Sequence, residues 1–132
     1  RNGVLLRAID TYSRVLGLVC DHDGSPMVPI CYDRWCSDAG YRAGLLERAG
    51  LEMRDNTLGA VQPYGGGSSF QKDATEANDL DTASRWKQMA DDPEDRAILA
   101  IAALDDALMG RLDTVFPQDA AHLRALTARG AA

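Results

Sequence analysis

Residues 64–70 read YGGGSSF, and they form the stretch of this chain best suited to binding chemistry. Glycine permits backbone angles that turn successive N–H groups toward one point, and serine hydroxyls add further donors. We therefore predict that an anion such as phosphate or sulfate binds at this loop, on residues Gly65, Gly66, Gly67, Ser68 and Ser69. The order of residues does not match a Walker loop. Because glycine and serine also compose flexible linkers, a simple hinge stays open as an alternative.

Three arginines form the second group of candidate anion ligands. Arg34 follows a predicted strand, Arg42 lies eight residues later, and Arg85 directly precedes Trp86. Guanidinium groups bind phosphate and sulfate through paired hydrogen bonds, so we expect these arginines to contribute to a nucleotide site. The alternative for each is an ordinary solvated ion pair at the surface.

The cysteines and histidines do not have the spacing of a known metal site. Cys20, His22, Cys31 and Cys36 lack the paired short knuckles of structural zinc sites, so we predict free thiols and no metal. The turn at 21–26 carries proline where a calcium loop requires glycine. No catalytic residue is assigned, and His22 is only a remote acid–base candidate because no nucleophile pattern accompanies it.

Composition limits the classes of protein to consider. A chain of 132 residues has the size of one domain. Its net charge of −6 and pI near 4.7 disfavour nonspecific nucleic-acid binding, which depends on cationic groups. No apolar stretch approaches the roughly 18 residues of a membrane span. The odd number of cysteines, without a signal-peptide pattern at the N-terminus, indicates a cytoplasmic location.

Hydrophobic spacing predicts the elements that must position these residues. A helix opens after Asn2, because apolar residues recur there at intervals of three and four. Its stripe comprises Val4, Leu5, Ala8, Ile9, Tyr12, Val15 and Leu16. The alternating run MVPICY at 27–32 predicts a strand, and a second helix follows over 37–49 with Gly50 as its C-cap.

The second half of the chain is predicted to be a loop followed by helices. Residues 52–79 show no sustained period, and a loop of that length is usually functional or disordered. A helix through Trp86 is expected to stop at 91–93. A longer helix is expected from Pro93 or Glu94, with an apolar stripe that extends to Leu112, Asp105 and Asp106 on its solvent-exposed side, and Pro117 ending the pattern. Pro117 begins a final helix.

The motifs VPICYDRWCSDAGYRAGLLERAGL, YGGGSSF and SRWK together resemble the C-terminal half of bacterial P-loop sulfotransferase-like proteins, over roughly residues 10–90. The resemblance implies an α/β fold, the C-terminal part of a three-layer P-loop-type fold, predominantly helical in this chain with few strands. It also implies 3′-phosphoadenosine-5′-phosphosulfate as sulfuryl donor, a hydroxyl or amine as acceptor, and a place for Gly65 to Ser69 near the nucleotide or the acceptor.

The strand, phosphate loop and helix that open that family's fold have no counterpart in these residues. We therefore expect residues 1–132 to be a single unit, an incomplete C-terminal portion of one domain that is inactive without the missing N-terminal part. Loss of the covering sheet predicts exposed apolar surface on the helix at 4–16. Two alternatives stay open. One is a small acidic helical protein-interaction module in which GGGSS is a hinge, and the other is a truncated P-loop kinase.

Overall fold

A computed structural model describes residues 2–22, 26–52, 55–59, 74–76 and 79–130. Helices account for 71% of these residues, and no strand occurs among them. The chain divides into two compact units. The first comprises residues 1–25 with 88–132, and the second comprises residues 26–87.

The first unit is a packed set of four α-helices. These are α1 (Asn2–Cys20), α4 (Pro93–Ala102), α5 (Asp106–Val115) and α6 (Pro117–Gly130). Helix α1 packs against α4 and α5, and α6 packs against the same two helices. The apolar core between them consists of Leu16, Ile98, Ala102, Leu108, Met109, Leu112, Ala120 and Leu123, each at most 6% exposed.

A side-chain cap separates α4 from α5, where the sequence predicted one continuous helix. The Asp105 carboxylate accepts a hydrogen bond from the Leu108 backbone N–H at 3.0 Å and so begins α5. Asp92 begins α4 in the same way, with Pro93 at its first position. Because a capping carboxylate satisfies N–H groups that have no partner inside a helix, it favours a new start over continuation. The prediction that Asp105 lies mid-helix was wrong, whereas the predicted final helix from Pro117 is confirmed.

The second unit contains α2 (Tyr32–Ser37) and α3 (Ala39–Arg48), which pack together. Of the run 27–32, which was predicted to be a strand, residues 27–31 lie in irregular backbone and Tyr32 begins α2. Pro29 has no N–H to donate to a sheet. At Cys31 the N–H donates to the Tyr41 hydroxyl at 2.9 Å, and the carbonyl accepts from Trp35 N at 2.9 Å in the first turn of α2. Both backbone groups of Cys31 are therefore used without a neighbouring strand.

Helix α3 begins and ends close to its predicted bounds. Asp38 caps its start by accepting from Tyr41 N at 2.9 Å. At its end Gly50 adopts a positive φ of 69°. Gly50 N donates to the Glu47 carbonyl at 2.9 Å and Leu51 N to the Leu46 carbonyl at 3.0 Å. This pair of bonds is a Schellman motif, which explains the glycine at this position.

The predicted α/β class is therefore wrong for this chain. The run at 27–32 was its only assigned strand, and the structure instead begins α2 at Tyr32. The predicted helix through Trp86 is a 3₁₀ helix, Arg85–Asp91. Without a strand among the described residues, they contain no part of a three-layer P-loop-type sheet.

Candidate functional site

Helix α1 has apolar side chains on two sides, and only one of them faces the core of its unit. Ser13, Leu16 and Gly17 are buried, which marks the inward side. A second row, Val4, Ala8, Thr11, Tyr12, Val15 and Leu18, lies on the other side and is exposed; we call this row the outward face. Most of it lines a shallow depression along the helix. The predicted single stripe of α1 is thus divided between two faces.

The exposure of the outward face is large for its residue types. Val4 is 61% exposed, Val15 49% and Leu18 59%. Isolated apolar side chains at a protein surface are ordinary, but a contiguous row of them marks an interaction site. The sequence feature that indicates this second apolar face is the number of apolar residues in α1, which exceeds what one face of a helix can hold.

A charged row borders the outward face. Arg7, Arg14 and Asp21 recur every seven residues, so they lie on one edge of the helix surface. The Asp21 N–H donates to the Gly17 carbonyl at 2.9 Å, which extends the helical path of α1 to this residue. Arg14 Nε lies 3.5 Å from Asp10 Oδ2 in an exposed ion pair. The face therefore has an apolar centre and a charged border along this edge, which resembles part of the polar rim of an interface.

The three arginines predicted to bind an anion each have a different partner in the second unit. Arg34 lies with its guanidinium carbon 4.3 Å from the centroid of the Tyr41 ring and forms an exposed ion pair with Asp38 at 3.6 Å. Arg42 is buried, and it donates to the Trp35 carbonyl at 2.6 Å and to the Asn56 carbonyl at 2.8 Å. It thereby holds the chain after α3 against the end of α2.

The positive charge of Arg85 affects the pKa of the Tyr32 phenol. A hydrogen bond with the Cys36 thiol raises the pKa of Tyr32 above its ordinary value, and the positive charge of Arg85 opposes that shift. Cys36 is buried, while Cys31 is half-buried and Cys20 is exposed; all three are free thiols. A phenol with a raised pKa stays protonated at neutral pH, so the Tyr32 hydroxyl is not activated as a nucleophile.

The glycine and serine residues of the predicted anion loop, 65–69, lie outside the described residues. Their role, and that of Arg34, Arg42 and Arg85 as ligands for an anion, stays a prediction. In the described part of the chain no cluster of three or more His, Cys, Asp or Glu side chains is placed to hold a metal ion. Over the same residues, no helix is long and apolar enough to cross a membrane.

No protein-family model, curated protein or solved structure in the comparisons matches this chain.

Proposed function

We propose that this chain is a protein-interaction module that binds an amphipathic helix of a protein partner along the outward face of α1. The observation that supports this proposal is the exposed apolar row on a helix whose opposite side already packs in the core. An α-helix that is apolar on two sides is normally covered on both, because each uncovered apolar side chain loses the free energy of burial.

The free energy that burial of these side chains would provide is large enough to support binding of a partner helix. Fully burying a valine or leucine side chain stabilises by about 1.5–3 kcal/mol. Val4, Val15 and Leu18 are roughly half exposed, so covering them recovers on the order of 1 kcal/mol for each residue. A helix laid along the row would cover all three at once, which is the usual mode of helix recognition in a shallow groove.

Charge and cysteine content are consistent with such a partner. A net charge of −6 favours association with a protein over a nucleic acid. Three free thiols, an odd number, are typical of chains that work in a reducing compartment, which supports a cytoplasmic location for the interaction.

Photo-crosslinking from the outward face tests this function. The photoreactive amino acid p-benzoylphenylalanine would replace Ala8, at the centre of the row, in the chain expressed in its host cell. We expect a discrete covalent adduct whose attachment point, mapped by mass spectrometry, lies on an amphipathic helix. Adding Val15→Glu to the same chain should abolish the adduct, because a charged side chain would then lie in the contact.

The matched control places the same photoreactive residue at Leu104, which is 76% exposed and lies outside α1. An adduct from position 8 that is absent from position 104 supports binding at the outward face. Equal labelling from both positions, or labelling unaffected by Val15→Glu, would overturn the proposal.

Sulfuryl transfer stays a separate prediction, and the fold supplies no sheet to carry it among the described residues. It is tested by hydrogen exchange at the amides of residues 65–69 with and without 3′,5′-adenosine bisphosphate. Slowed exchange with the nucleotide would support a donor site there, and unchanged fast exchange would favour a hinge.

A further inference from the structure

The outward face of α1 has the spacing of a coiled-coil seam. Val4, Ala8, Thr11, Val15 and Leu18 follow one another at intervals of four, three, four and three residues. This alternation is the heptad pattern of the two seam positions of paired helices. Small residues at Ala8 and Thr11 permit close approach of a second helix, and α1 spans about 28 Å at a rise of 1.5 Å per residue.

The charged row beside the seam carries opposite signs at its two ends. Arg7 lies near the start of α1 and Asp21 immediately after its end, fourteen residues later. Both occupy the heptad position directly before a seam position, which is Ala8 after Arg7 and His22 after Asp21, and helix pairs exchange ion pairs at this heptad position. A helix with a positive start and a negative end on one edge is complementary to a reversed copy of itself.

We propose that the partner helix is α1 of a second copy of this chain, paired antiparallel along the outward face. The inference rests on the proposed function, because it names the occupant of that same surface. In the register that aligns the seams, Ala8 lies against Leu18 of the second copy and Val15 against Thr11 of the second copy. The two-fold axis repeats each contact, so Ala8, Thr11, Val15 and Leu18 all have a seam partner, while Val4 at each end lies against His22 of the second copy.

The same register brings Arg7 opposite Asp21 of the second copy, twice in each dimer. A parallel pair would instead place Arg7 beside the apolar Tyr12 of the second copy, with no ion pair at either end. Charge complementarity therefore selects both the reversed copy and its register.

Arg14 lies at the centre of this arrangement, next to Arg14 of the second copy. Each Arg14 already forms an ion pair with Asp10 of its own helix, at 3.5 Å. Two ion pairs therefore meet at the axis rather than two uncompensated cations, and the repulsion between them is reduced.

Analytical ultracentrifugation of the whole chain over a range of concentrations measures the pairing. We expect a dimer that dissociates on dilution, since a single helix pair is a small interface. Val15→Glu should leave only monomer, because it places a charge in the seam of both copies. Leu104→Glu is the matched control. Leu104 is 76% exposed and lies outside α1, so its substitution should leave the dimer unchanged.

Charge reversal tests the register. Arg7→Glu or Asp21→Arg alone should weaken the dimer about tenfold, because each change makes both copies of the ion pair repulsive. The double variant, with both reversals in one chain, should restore the original dissociation constant. Circular dichroism confirms that each variant keeps its helix content.

The outcomes separate this inference from the function on which it rests. A chain that stays monomeric at all concentrations, or a dimer indifferent to Val15→Glu, overturns self-pairing through α1. A dimer lost with Val15→Glu but not restored by the double reversal overturns the antiparallel register. If the chain is monomeric while position 8 still crosslinks to a different protein, self-pairing fails and the proposed function stands. If position 8 yields no adduct, the proposed function fails as well.

Discussion

The contact between Gly17 of α1 and Arg111 of α5 should cancel the stabilisation that alanine would otherwise give at position 17. Arg111 Nη1 donates to the Ser13 carbonyl at 3.0 Å and to the Ser13 hydroxyl at 2.7 Å, in a site where Ser13 is only 5% exposed. A Cβ added at Gly17 would lie 3.2 Å from Arg111 Cζ and 3.3 Å from Arg111 Nε. Those separations are shorter than an ordinary van der Waals contact, so the guanidinium would have to move.

Two effects of Gly17→Ala oppose each other. Replacing glycine inside a helix gains about 1 kcal/mol of helix propensity. Against this, moving Arg111 lengthens two hydrogen bonds from a charged donor, and such a bond contributes about 1.5–3 kcal/mol. Weakening both by a modest fraction cancels the propensity gain. We expect Gly17→Ala to be neutral or destabilising in the native chain.

A double-mutant cycle isolates the contact. In an Arg111→Met background the guanidinium is absent, and Gly17→Ala should then stabilise by about 1 kcal/mol. Urea unfolding followed by circular dichroism measures the four chains. Gly110→Ala is the matched control, because a Cβ there meets nothing within 4 Å, and it should stabilise by about 1 kcal/mol in the native chain.

The reasoning is refuted if Gly17→Ala stabilises the native chain and the Arg111→Met chain equally. That result would mean that the guanidinium moves aside without cost. Failure of Gly110→Ala to stabilise would instead show that the propensity value does not apply in this protein.

Three further predictions concern the caps and the exposed ion pair. Asp105→Ala should lower the free energy of unfolding by about 1 kcal/mol because α5 loses its N-cap. Asp106→Ala should change the free energy of unfolding little. Urea unfolding compares the two variants, and equal effects would contradict the capping role of Asp105. Gly50→Ala should cost about 1 kcal/mol in the same assay, since alanine is strained at a φ of 69°, and a neutral result would contradict the left-handed conformation. Hydrogen bonds from Arg124 hold the pKa of Asp113 below its ordinary value. The ion pair therefore stabilises the folded chain fully at pH values above the pKa that Asp113 has in the unfolded chain. This stabilisation is lost as the pH falls through the lower pKa that Asp113 has in the folded chain. Asp113→Asn should therefore lower the melting temperature at pH 7 and lower it progressively less as the pH falls below the ordinary carboxyl pKa, and an equal loss at every pH would contradict the pair.

The candidate surface was only half visible in the sequence. The heptad spacing of Val4, Ala8 and Val15 can be read from the sequence, and exposed apolar surface on this helix was predicted. Periodicity alone could not say which side of α1 faces inward, because both sides carry apolar residues. Packing against α5 decided this when it buried Ser13 and Gly17, which no hydrophobicity pattern would place in a core.

Features that depend on neighbours a few residues apart could be predicted from the sequence. Pro117 at the start of α6 and Gly50 at the end of α3 fulfil their predicted roles, because proline at a first turn and glycine after a last turn act through local backbone geometry. Features that depend on contacts between residues distant in the chain are established only by tertiary packing. Residues 27–32 have the alternation of a strand but meet no strand within the described part of the chain, and the Cys31 N–H donates to the Tyr41 hydroxyl instead. Arg111 meets Ser13 across 98 residues, and only packing of the two helices brings them within hydrogen-bond distance.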